Sequence, residues 1–228
     1  MSAKDNVVSI GLSAAIVAVE GELPSVLVVS HDGTQDALPF GPFDPATQRT
    51  LESGLRRWVG EQTKFDLGYT EQLYTFGDEG RHLPASGNSG ARVVSVGYLA
   101  LTRRAPVKLK EAPETQWRGW YQYFPWEDWR DAKPGMIDGV ILPALRKFVK
   151  DAPNTEIAEQ RRDRINVCFG EGWDEERVLE RYELLYEAGL VEEFHRDSGK
   201  PIPKIALHTC EGKPLKPENA FVKRKARA

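Results

Sequence analysis

With 228 residues, 40% of them hydrophobic and 29% charged, the chain is long enough to bury a core and has the composition of an ordinary globular protein. Its formal net charge of −3 supplies no global basic field, so nucleic-acid contact would need a local patch. Cys168 and Cys210 are too few for a disulfide framework, MSAKDNVVSIG lacks a signal-peptide pattern, and no apolar run approaches the ~18 residues that span a bilayer, so a reducing cytoplasm is expected.

Residues 7–19 (VVSIGLSAAIVAV) are apolar and rich in β-branched side chains, as a buried strand requires, and 25–30 (SVLVVS) return as a second strand after a turn at 21–24. His31-Asp32-Gly33 signals a loop. The stretch 38–65, LPFGPFDPATQRTLESGLRRWVGEQTKF, predicts a loop, a turn and an amphipathic helix, with Asp44 as N-cap and Pro45 as first helical residue. Leu51, Leu55, Trp58, Val59 and Gln62 recur at i, i+4, i+7, i+8 and i+11, so they share one stripe, with Arg56, Arg57 and Glu61 beside it. Residues 69–76 alternate as a strand should. A loop at 77–90 carries Arg81 and His82 among glycines, and 92–102 (RVVSVGYLALT) is a strand. Residues 116–124 predict an aromatic strand, followed by a short helix from 126 and a longer one at 137–149.

The 38–65 stretch resembles a Nudix box, with Leu38-Pro39-Phe40-Gly41 as its opening, Thr50-Leu51-Glu52 as its middle and residues 57–65 as its end. That box gathers carboxylates on one helix face because a hard cation such as Mg²⁺ prefers oxygen ligands. In this chain Trp58 and Gln62 stand at two of the three ligand positions, Glu61 remains, and Lys64 replaces the box glycine. Residues 71–78, Arg81 and residues 92–101 further resemble Nudix-related transcriptional regulators of bacterial NAD biosynthesis. The resemblance implies a Nudix-like α/β/α sandwich over 1–150 with a mostly helical extension; the residues beyond read as a helical, winged-helix-like module over 151–212 and a basic tail over 213–228. It also implies a homodimer that senses ADP-ribose, NAD or ATP without hydrolysing it, and operator DNA as partner, although the usual winged helix is not recognisable here.

For such a ligand the candidate binding residues are Phe40, Gly41, Arg57, Glu61, Arg81 and Arg92. Glu61 is the one candidate for a residual Mg²⁺, its bland alternative being a solvated carboxylate paired with Arg57; no cofactor is otherwise required. Arg57 either faces a diphosphate or orients its neighbours. Trp58, and the aromatic cluster of Trp117, Trp120, Tyr121, Tyr123, Phe124, Trp126 and Trp129, are expected to pack rather than stack a base. The alternative is an active hydrolase using Glu61, Arg57 and Glu52 with a loop carboxylate, Asp78 or Glu79.

Beyond residue 151, 157–169 predicts a helix bearing Arg161, Arg162 and Arg164. A second helix over 175–188 is capped by Asp174, buries Val178, Leu179, Tyr182, Leu185 and Tyr186, and ends at Gly189. A hairpin is expected from 190–194 and 202–209. In a winged-helix outline those arginines with Lys200 and Lys204 would touch DNA phosphates, but the second helix carries five glutamates (Glu175, Glu176, Glu180, Glu183, Glu187) that repel DNA.

Overall fold

The structure, a computed structural model, describes residues 8–31, 35–77, 92–104, 112 and 114–201. The chain divides into two compact units, Met1–Trp120 and Tyr121–Ala228. The division falls before the residue-150 boundary expected from sequence, because residues 126–145 contribute to the second unit's core.

The first unit is α/β. Strand β1 (Val8–Glu20) pairs antiparallel with β2 (Leu23–His31) and parallel, along Val8 to Ala18, with β6 (Arg92–Thr102). Strand β5 (Thr70–Phe76) pairs antiparallel with β6, with a bulge between Gln72 and Tyr74. Alternation puts Leu12, Ala14, Ile16, Leu27, Val96, Tyr98 and Ala100 into one core with Leu55 and Val59 of helix α1 (Leu51–Thr63). Gly54 lets α1 approach closely, since a β-carbon there would lie 2.9 Å from Leu12 Cδ1.

Two short strands went unseen in the sequence, β3 (Gln35–Ala37) and β4 (Phe40–Pro42). Their registers place them. β1 and β2 pair only between residues 17–20 and 23–26; beyond that, β3 pairs with β2 at Val29–His31 and β4 with β1 at Gly11–Ser13. Strand β7 (Thr115–Gly119) takes the opposite edge of β2, and β6 the opposite edge of β1. The 35–42 segment therefore fills the wedge between two splayed strands. Asp36 anchors it across β2, accepting from Gln116 Nε2 at 3.2 Å and Arg118 Nε at 3.0 Å.

Helix α1 starts later than expected. Thr50 is its N-cap, in a capping box with Ser53, while Asp44 closes a turn by accepting from Ala46 N and Thr47 Oγ1. The Asp-Pro pair was a turn signal. At the other end Lys64 has φ 55°, the left-handed conformation that explains why a glycine suits this position. The aromatic strand expected over 116–124 stops at Gly119, where its pairing with β2 ends opposite Ser25. Single 3₁₀ turns at Trp120–Gln122 and Pro125–Glu127 follow.

In the second unit a wide π-helical turn, Ile137–Ile141, runs into α2 (Leu142–Lys150). Pro143 near the start of α2 has no N–H to give to a carbonyl four residues back, and Leu142 N bonds Ile137 O instead. Helix α3 (Thr155–Phe169) is capped by Asn154, and a turn capped by Asp174 leads into α4 (Val178–Glu187). Gly189, at φ +68°, ends that helix. The expected strand at 190–194 is replaced by helix α5 (Glu192–Ser198), whose first-turn glutamates suit a helix N-terminus; its expected partner, 202–209, lies outside the described residues.

Helix α4 buries Arg181, Leu184 and Leu185, while Leu179 is 66% exposed, contrary to the expected apolar face. Arg181 is 0% exposed because it meets Glu127 at two points, both 2.7 Å, donates to Asp174 O at 2.8 Å, and lies 3.7 Å from the Trp173 ring centroid. Removing one partner of such a buried pair strands the other charge, so Glu127→Ala should destabilise this unit by about 3–5 kcal/mol in urea unfolding. At the first unit's left-handed helix end, Lys64→Gly should stabilise by about 0.5–1 kcal/mol in the same measurement.

Candidate functional site

The wedge segment presents its outer backbone edge to α1. Pro39 O accepts from Ala14 N at 3.0 Å and Phe43 N donates to Ile10 O at 2.8 Å, so residues 39 and 43 face β1 and Phe40 and Pro42 turn the other way. Their groups find partners on two side chains of α1. Phe40 N donates to Gln62 Oε1 at 3.1 Å, and Gln62 Nε2 donates to Phe40 O at 2.6 Å. Pro42 has no N–H, and its carbonyl accepts from Trp58 Nε1 at 2.8 Å. The Trp58 indole lies against Gly41, where a β-carbon would come within 2.1 Å of the ring. Phe40 in turn covers Gly11.

Trp58 and Gln62 stand at two of the cation-ligand positions of the resembled box. An amide both donates and accepts, which is what the Phe40 peptide groups require; a carboxylate only accepts. The half-buried Trp58 thus packs, as expected, but against the wedge strand and with its N–H engaged.

The remaining carboxylates are paired. Glu61 Oε1 accepts from Arg57 Nε at 2.8 Å, both side chains being about half exposed, which matches the bland expectation for Glu61. That hydrogen bond, then the Glu61 and Asp44 charges, raise the Arg57 pKa. Glu52 accepts from Arg56 and from Thr70 Oγ1, which holds its carboxyl below the usual range. The stabilisation this gives is present above the unfolded-state pKa and is lost as pH falls. Arg56 also donates to the carbonyls of Leu67 and Gly68, so it belongs to the loop leading to β5. Among the described residues no three His, Cys, Asp or Glu side chains gather as a cation site. Trp58 and Gln62 bring no carboxylate to this helix face, so a Mg²⁺ ion would have Glu52 and Glu61 alone to draw on.

Phe40 and Gly41 lie in β4 against Gln62 and Trp58, and Arg57 and Glu61 pair with each other on α1. Asp78, Glu79, Arg81, His82 and the side chain of Arg92 lie outside the described residues. The sequence missed the roles of Trp58 and Gln62, and its one clue was Pro42, a residue with a carbonyl but no N–H to satisfy. Of the DNA candidates, Arg161 lies over the Phe148 ring at 3.7 Å and donates to Phe148 O, Arg164 pairs with Glu187, and Lys200 lies over Phe194 at 5.0 Å. Arg162 is exposed, and Lys204 lies outside the described residues. No helix among the described residues is long and apolar enough to cross a membrane.

No family model matches the chain, and no curated protein matches it. Among solved structures it is similar to the NUDIX domain of Shewanella oneidensis NrtR complexed with ADP ribose, at 24% identity, covering 48% of this chain and 71% of that one, with a TM-score of 0.39. It is similar to Shewanella oneidensis NrtR complexed with a 27mer DNA at 19% identity, over 76% of this chain and 82% of that one, with a TM-score of 0.41. A MutT/nudix family protein from Enterococcus faecalis shares 23% identity over 52% of this chain and 46% of that one, with a TM-score of 0.41. Likeness of this degree assigns no ligand to the chain.

Gln62→Glu tests the clamp. At neutral pH the introduced carboxylate leaves Phe40 O without its donor, which should cost about 1–2 kcal/mol of stability. Once protonated, the new carboxyl group donates again, so its pKa is raised in the folded state above the ordinary ~4.3. The deficit against the parent should therefore shrink as pH falls toward about 4 and be complete above the raised folded pKa. Thermal unfolding of both proteins across that range reads it.

Proposed function

We propose that this chain is a Nudix-like nucleotide-binding regulator of NAD metabolism that senses ADP-ribose, NAD or ATP without hydrolysing it, with operator DNA as partner. The resemblance across the 38–65 box and residues 71–101 supports the nucleotide. The single observation that carries the loss of hydrolysis is the engagement of Trp58 and Gln62 with the wedge strand. Side chains committed to Phe40 and Pro42 supply no carboxylate oxygen to a cation, which leaves Glu52 and Glu61, each shared with an arginine. A regulator of this kind works by binding its ligand with different affinity in two conformations, so turnover is not required.

Phosphorus NMR of the protein with ADP-ribose, NAD and ATP in excess Mg²⁺ tests the proposal. Shifted or broadened ligand resonances that persist for hours are expected. Disappearance of a diphosphate resonance, abolished by chelator, would instead establish a hydrolase.

A further inference from the structure

We infer that Arg57 meets the ligand's phosphates directly, without a divalent cation, and that Glu61 is its resident counter-anion rather than a cation ligand. The inference rests on the nucleotide-binding reading above and concerns the charge chemistry of the same helix face.

A nucleoside diphosphate brings several negative charges, which must be matched either by a cation held on carboxylates or by protein cations. On α1 the first route has only Glu52 and Glu61 to draw on. Trp58 and Gln62 are neutral and hydrogen-bonded to Pro42 and Phe40, and Glu52 is held by Arg56 and Thr70. The second route is open. Arg56 is tied to Glu52 and to the carbonyls of Leu67 and Gly68, whereas Arg57 bonds through Nε to one carboxylate, with a side chain 53% exposed. Both members of that pair face solvent, so the pair is weak and exchangeable. A phosphate offers the guanidinium a charge-assisted fork in place of Glu61. Glu61 then competes with the ligand for Arg57, which also feels the Asp44 charge.

The competition makes a prediction opposite in sign to a metal site. If Glu61 held a cation, removing its charge would weaken nucleotide binding; if it competes for Arg57, removal strengthens it. Calorimetric titration of the full chain with ADP-ribose and with ATP, once in Mg²⁺ and once in EDTA, separates these. Affinity in EDTA at least as high as in Mg²⁺ is expected, since Mg²⁺ bound to the phosphates would offset the charge that Arg57 meets, with Glu61→Gln binding about two- to fivefold tighter and Arg57→Gln about tenfold weaker. Both side chains are half exposed, so the variants should keep the parent's unfolding temperature, and Arg57→Lys should restore only part of the affinity because an ammonium lacks the planar fork. Binding that needs Mg²⁺, or that Glu61→Gln weakens, would overturn the inference and leave the nucleotide reading standing. No binding of either nucleotide in either buffer would remove both.

Discussion

The first unit depends on one backbone constraint: a strand inserted between two others has an edge that must be satisfied. β1 and β2 part after four residue pairs, and the 35–42 segment enters the gap. One edge of that segment bonds β1 and β2, while the Phe40 and Pro42 peptide groups point away from both. Unpaired polar groups in a partly buried place cost about as much as several apolar contacts supply. Helix α1 supplies the missing partners with a glutamine and a tryptophan, one turn apart.

The same two residues decide what chemistry the helix face retains. A cation site and a satisfied strand edge make opposite demands at position 62, because carboxylates donate nothing and an amide carries no charge. The Gln62 amide, accepting from Phe40 N and donating to Phe40 O, fits only the second demand. Trp58 goes further, for its ring fills the space above Gly41 that a longer residue in β4 would need. What remains on the exposed side is the Arg57–Glu61 pair, a cation with an easily displaced partner.

The second unit is organised around a different device. Arg181 is fully buried in a core of Trp126, Ile137, Ile141, Leu145, Leu184 and Leu185, and its charge is acceptable there because Glu127 meets it with both oxygens. The Trp173 ring lies 3.7 Å from the guanidinium, and Trp129 lies 4.3 Å from Trp173. Trp126 and Trp129 of the aromatic cluster therefore belong to an ionic core, and part of the basic character of α3 is engaged by Phe148 and Glu187.

By itself the sequence determined the elements whose signal is local. Apolar, β-branched runs gave β1 and β2, alternation gave β5, β6 matched residue for residue, and 3.6-residue spacing gave α1. It also showed that Trp58 and Gln62 stand where the resembled box carries carboxylates, since residue identity needs no structure. Only the tertiary structure decided where those replacements point. Phe40 and Gln62 are 22 residues apart, and nothing local to either announces an amide clamp. Three-residue strands such as β3 and β4 carry too few residues for a period and form because their partners part around them. Nothing local marks Arg181 as buried, because its compensating carboxylate lies 54 residues away. Periodicity reports which side of an element is apolar; hydrogen-bond partners and buried charges are settled by what the folded chain brings alongside.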